Sequence, residues 1–172
     1  MKKIFLFLSM CFTLSSGFAT AETTTSKDPE IVAFMVVLNK NEIAAADLTK
    51  QKTVNKDVKK YAALMSKEHN KNLSDIEKLS KKQNIKPVDS DMVVSLQDKG
   101  KEELNTLNAL VDKAYDTAYI DAMVKGHTDA LANIDSFLKE VTNPKLKTYL
   151  KDTRSHVKHH LAKAEVIQKE LK

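Results

Sequence analysis

The sequence predicts an all-α protein, a four-helix bundle with one additional shorter helix. Three observations carry that expectation. Apolar residues recur at steps of three and four along five stretches, and nowhere do apolar and polar residues alternate as in a half-buried strand. Helix breakers are scarce, with three glycines and three prolines in 172 residues. Lys, Leu and Ala dominate and Trp is absent, a composition that suits helices better than sheets.

In chain order, Lys2 and Lys3 open a charged segment that runs into the apolar stretch Ile4–Leu14 and then Ser15, Ser16 and Gly17. Ala19-Thr20-Ala21 follows as a small-x-small cleavage site. This is the layout of a secretory signal peptide over residues 1–21, with the mature chain starting at Glu22. The apolar stretch is well short of the ~20 residues that a spanning helix needs, and no later stretch approaches that length. Cys11 is the only cysteine, so cleavage removes every thiol and excludes disulfides, thiolate metal ligands and cysteine nucleophiles from the mature chain. Lipid attachment at Cys11 would leave a very short signal with bulky Met10 in front of it.

Residues 22–27 read as a polar linker, and residues 28–172 as a single helical domain. Asp28-Pro29 predicts an N-cap followed by proline in the first turn. Ile31, Phe34, Met35, Leu38, Glu42, Ala45 and Leu48 then form one stripe to about residue 50. A second helix is expected from near Asn55, with Val58, Ala62, Met65, His69, Leu73, Ile76 and Leu79 on its stripe, ending before Pro87. Ser90 can cap a shorter segment, 90–108, with Met92, Val93, Leu96, Leu104 and Leu107 on one side and Gly100 as an internal weak point. Asp112 offers a cap for a fourth helix with Tyr119, Met123, His127, Ala130, Ile134, Phe137 and Val141 aligned. Asn143-Pro144 repeats the cap-plus-proline signal before Leu146, Tyr149, Thr153, Val157, His160, Ala164, Ile167 and Leu171.

Glu42, His69, His127 and His160 interrupt these apolar stripes, one on each long helix. A buried ionisable group needs a partner or a metal. At ~1.5 Å rise per residue, each histidine lies roughly 20–24 Å from the start of its helix, near mid-height. The four residues can therefore meet in one layer. Imidazoles with a carboxylate suit one transition-metal ion, Zn, Mn, Fe or Cu. Asp116 and Tyr119 share a helix with His127 and are candidates for ligands or for acceptors that orient a histidine. His156 faces the same way as His160 and is an optional member, whereas His159 points elsewhere. The competing reading is a hydrogen-bonded polar core in which Glu42 accepts from histidines and Tyr119 closes the network.

The formal charge is +5, falling to +3 without Lys2 and Lys3. The bases are nearly all lysines interleaved with acids, and Arg154 is the only arginine. That pattern speaks against nucleic acid as a partner, because such binding clusters its basic residues and favours arginine. Ser155-His156 cannot form a hydrolytic pair, because helix neighbours do not face each other.

Three segments carry a resemblance. Leu48-x-x-Gln51-Lys52-Thr53-x-Asn55-x-x-Val58-Lys59-x-Tyr61-Ala62-x-x-Met65-x-x-Glu68-His69 resembles the most recognisable segment of the bacterial domain of unknown function 4142 family. Leu110-x-x-x-x-Tyr115-Asp116-x-x-Tyr119-x-x-x-Met123-x-x-x-His127 and Val157-x-x-His160-Leu161-x-x-Ala164 are similar to its later motifs. The resemblance spans essentially the whole mature chain. It implies a ferritin-like helical bundle in an exported bacterial protein of the periplasm or outer membrane, with no established activity. It also picks out Glu42, His69, Asp116, Tyr119, His127 and His160. Ferritin-like di-iron sites use Glu-x-x-His, yet Ser66 precedes His69 by three residues and Val157 precedes His160 by three, which speaks against di-iron oxidation or iron storage.

Three functions follow as expectations. One is a non-enzymatic exported bundle with a polar, metal-competent core. The second is a mononuclear metal-dependent oxidoreductase or metal-handling stress protein. The third is an envelope interaction module whose lysines meet anionic glycans or lipid headgroups.

Overall fold

The computed structural model describes residues 26–172, so the expected signal peptide and most of the linker lie outside the described residues. Five helices follow one another: α1 (Asp28–Lys52), α2 (Lys56–Gln83), α3 (Asp91–Ala109), α4 (Asp112–Glu140) and α5 (Pro144–Leu171). No strand occurs among the described residues. None of their helices is long and apolar enough to cross a membrane.

α1 and α2 form one antiparallel pair and α4 and α5 another, and the pairs meet through α2–α5 and α1–α4 contacts. α3 makes the crossover. Its start lies beside the start of α1, where the Val88 amide donates to Pro29 O at 3.2 Å. Its end lies beside the end of α1, where Lys52 Nζ reaches Asn108 O at 2.6 Å. α3 thus returns the chain to the upper end of the bundle, and α4 descends parallel to α2. One long crossover in an otherwise antiparallel four-helix bundle is the ferritin-like arrangement.

The crossover also changes what α1 must be. Its outer side is covered by α3, so Ala33 and Val37 are buried in addition to the expected stripe, while Val32 and Ala46, seven residues either side of Asn39, are buried with it towards α2. Gly100 permits this close approach. A Cβ there would lie 2.3 Å from Asn41 Nδ2, and that amide donates to Leu96 O at 2.9 Å. The shorter helix is otherwise lightly anchored. Val93 and Leu107 are its buried residues, while Met92, expected on the inner side, is half exposed.

Two side-chain caps form, the expected one at Asn143 and another at Asn55, where the sequence places the start of the second helix. Asn55 accepts from Asp57 N and Val58 N, and Asn143 from Lys145 N and Leu146 N. Asp28 does something else. Lys27 occupies the N-cap, and the Asp28 carboxylate instead accepts from Thr142 N, Thr142 Oγ1 and Asn143 N, tying the start of α1 to the α4–α5 turn. Ser90 holds its cap position without a side-chain bond, and Val111 rather than Asp112 occupies the N-cap of α4.

The apolar interior is divided in two. The lower core gathers Phe34, Met35 and Leu38 with Ile76, Ile134, Phe137 and Leu150. The upper core gathers Ala45, Tyr61, Met65, Tyr119, Ile120 and Met123. Between them lies a layer of buried polar side chains: Asn39 and Glu42 from α1, His69 from α2, His127 from α4 and His160 from α5.

A candidate metal centre between the two cores

His69, His127 and His160 converge. Their ring centroids are 6.0, 5.3 and 5.4 Å apart, and one potential ligand atom from each lies within 4.8 Å of the other two. All three side chains are between 1% and 4% exposed, so water cannot supply their hydrogen bonds.

Each ring has one nitrogen bound to an oxygen acceptor. His69 Nδ1 donates to Asn39 Oδ1 at 2.9 Å. The orientation of that amide is fixed, because Asn39 Nδ2 donates to Met35 O at 2.7 Å. Asn72 Nδ2 adds a second bond to Asn39 Oδ1 at 3.2 Å, and Thr153 Oγ1 in turn donates to Asn72 Oδ1 at 3.3 Å. His127 Nδ1 donates to the Met123 carbonyl at 2.8 Å. His160 Nε2 donates to Glu68 Oε2 at 2.7 Å. An acceptor on one nitrogen places the proton there and leaves the lone pair on the other. The remaining nitrogens, His69 Nε2, His127 Nε2 and His160 Nδ1, are buried and have no hydrogen-bond partner among the described residues.

Burial holds the three rings neutral. It drives His69 well below the ordinary imidazole range, helped by the neighbouring histidines. Burial takes His127 to about 4 against the pull of its carbonyl acceptor. His160 is also held at about 4, with burial outweighing the Glu68 bond. Three unprotonated nitrogens therefore face one another at neutral pH. Each such buried, unpaired polar atom costs about 1–3 kcal/mol, and a cation accepting all three lone pairs would remove that cost.

Glu42 is buried but does not belong to this trio of ligand atoms. Its Oε2 has no partner among the described residues, and its Oε1 would lie 3.6 Å from a Cβ at Gly126. Burial raises the carboxyl to about 7. Asp116 sits near the top of α4, where its carboxylate accepts from Thr53 Oγ1, so it orients no histidine. The Tyr119 hydroxyl is likewise unpartnered, and the charge that most affects it is that of Glu42. His156 is exposed, with Nδ1 3.8 Å from Glu68 Oε2.

The groups that orient the imidazoles are Asn39, Glu68 and the Met123 carbonyl, and sequence reasoning did not single them out. Asn39 is a polar residue four positions after Met35 on the buried side of α1, a signal of the same kind as Glu42. Glu68 follows from its place next to His69, which turns it about 100° around the helix towards α5.

The chain belongs to the DUF4142 family, a domain of unknown function, whose model matches residues 13–167. No curated protein matches it. Solved structures of DUF305 proteins share its fold. A DUF305 protein from Streptomyces coelicolor is 14% identical with a TM-score of 0.73, covering 85% of this chain and 94% of its own. A DUF305 fragment from Deinococcus radiodurans is 13% identical with a TM-score of 0.75, covering 85% of this chain and 97% of its own.

Proposed function

We propose that this protein is an exported helical bundle that holds one transition-metal ion in its core through His69 Nε2, His127 Nε2 and His160 Nδ1. One observation carries the reading: three buried lone-pair nitrogens converge, and the opposite nitrogen of each ring is already bonded to an oxygen acceptor. Acceptors of that kind fix the tautomer and raise the basicity of metal-bound histidines. A purely hydrogen-bonded core would need a donor for these nitrogens, and Glu42 supplies none. Neutral nitrogen donors without a carboxylate favour zinc or copper over manganese. Zinc–nitrogen bonds of about 2.0–2.1 Å would draw the three nitrogens from within 4.8 Å to about 3.3 Å of one another, a closure of up to about 1.5 Å.

Holding a metal is favoured over turnover. A metal-dependent oxidoreductase needs room for substrate beside its metal. The grooves that indent the bundle are lined by Glu68 and His156 on one side and Glu42 on another, but not by the three imidazoles. Export is supported by the layout of residues 1–21 and by the Streptomyces relative, provisionally named a secreted protein. The even spread of lysines is compatible with an anionic envelope surface nearby.

Calorimetric titration of chelator-treated protein with zinc and with copper tests the centre. The expected result is one equivalent bound and a raised melting temperature, both abolished in His69→Ala, His127→Ala and His160→Ala. Asn39→Ala should keep the site but weaken it by about 10–100-fold, because the His69 tautomer is no longer held. Absence of binding, or binding that survives all three histidine substitutions, would end the proposal.

A further inference from the structure

Glu42 does not share the imidazole cluster, and its surroundings form a site of their own. A groove of about 660 Å³ runs between α1, α3 and α4, and Glu42 of α1 and Glu103 of α3 both line it. Glu42 is 7% exposed, and its Oε2 has no hydrogen-bond partner among the described residues. Tyr119, fully buried on α4 on the same side of the helix as Gly126 and two turns before it, carries a second unpartnered oxygen. Its strongest charged neighbour is Glu42, and Glu103 also acts on it. Beside them Gly126 interrupts the long helix α4, where glycine costs about 1 kcal/mol relative to alanine. A Cβ there would make ordinary contact with Glu42 Oε1 at 3.6 Å, so the backbone would tolerate alanine. What glycine preserves is the open groove floor next to the carboxylate.

We propose that Glu42 and Glu103, with the Tyr119 hydroxyl as a neutral third oxygen, form a second cation site that takes a hard divalent ion. Carboxylate and hydroxyl oxygens prefer Mg²⁺, Ca²⁺ or Mn²⁺, whereas three imidazoles prefer softer ions. The protein thus presents two donor sets of different hardness on adjacent faces of α4, because Gly126 and His127 are neighbours about 100° apart around the helix. Lys99 and Lys125 also line the groove, and Lys125 is paired with Asp129 rather than with either glutamate. Burial raises Glu42 to about 7, and burial together with the Glu42 charge, offset in part by Lys125, raises Glu103 to about 7. A divalent ion would displace those protons and satisfy Glu42 Oε2 and the phenol together.

Manganese serves as the probe, because its electron paramagnetic resonance signal reports the free ion. The full chain, with the imidazole site first saturated with zinc, should bind one Mn²⁺, and Ca²⁺ should compete for it. Glu103→Gln, at a half-buried position, should weaken Mn²⁺ at least tenfold and leave zinc titration unchanged. Gly126→Val should do the same by filling the groove. Glu42→Gln should remove the site, with helical circular dichroism as the control for folding. Mn²⁺ binding that is absent, or indifferent to Glu103→Gln and Gly126→Val, overturns the assignment. Loss of zinc binding in the histidine variants is read separately, so the two sites stand or fall independently.

Discussion

Asn39 and Glu68 show how a single side chain sets the chemistry of a neighbour. Each accepts a hydrogen bond from one nitrogen of an imidazole and thereby leaves the lone pair on the other nitrogen, aimed inward. The same burial that keeps the histidines neutral makes the stability of the metal-free protein depend on pH. His127 and His160 titrate at about 4 in the folded chain and near 6.5 when unfolded. Between those values the unfolded chain binds more protons, so their contribution is complete above about pH 6.5 and is lost as pH falls towards 4. Glu42 acts in the opposite sense. Its carboxyl is raised from 4.5 to about 7, so the folded chain keeps a proton that the unfolded chain has released. Stability from this group falls as pH rises through that window, at up to about 1.4 kcal/mol per pH unit. Lys99, Glu103, Lys125 and Asp129 are the charged groups that share its groove. Denaturant unfolding with chelator at pH 5 and pH 7 separates the effects. Glu42→Gln should shift the stability difference between the two pH values by about 2 kcal/mol in favour of pH 7. An unchanged difference would place the Glu42 proton elsewhere.

Among the elements, α3 is the one whose sequence is least self-sufficient. Its buried anchors are two apolar residues, and its close seat on α1 rests on Gly100. Substituting alanine there should gain about 1 kcal/mol of helix propensity. The added Cβ must also displace the Asn41 side chain and break its bond to Leu96 O. Lost hydrogen bonding and crowding of about 1–3 kcal/mol outweigh the gain. Gly100→Ala alone should therefore destabilise the protein. In an Asn41→Ala background, where that obstacle is gone, the same change should stabilise it by about 0.5–1 kcal/mol. A double-mutant cycle from thermal or denaturant unfolding measures the coupling. No coupling between the two positions would mean that α3 is seated by something other than this contact.

At the scale of the whole molecule, the polar layer divides one bundle into two apolar cores while the helices run through both. A metal in that layer would join α2, α4 and α5 at mid-height, where apolar packing is interrupted, and would stabilise the folded state by mass action. Asn39 would connect α1 to the same layer through His69. The export proposed above would determine which metals the protein meets, and the layout of residues 1–21 predicts a mature amino terminus at Glu22. Amino-terminal sequencing of protein recovered from the envelope of its native cell checks this. A chain that still begins at Met1, or one carrying lipid on Cys11, would contradict the export reading.

The sequence by itself determined the helices, their order and the depth of the ionisable residues. Those properties depend on local periodicity, caps and the rise per residue, and each is written within a single stretch of chain. The stripes through Val58–Leu79 and Tyr119–Val141 place His69 and His127 at mid-height with no knowledge of their neighbours. Only the tertiary structure decided which polar residues meet. Glu42 and the histidines lie at similar heights, but rotation of α1 about its axis turns the carboxylate towards α3 and α4 and leaves Asn39 behind His69. The broad burial of α1 has the same origin, because the crossover covers a face that a single-helix pattern would assign to solvent. Asp28 reads as a cap locally, yet its carboxylate binds the α4–α5 turn, more than a hundred residues away in the chain. Depth follows from counting along one helix, whereas direction depends on how the helices pack against one another.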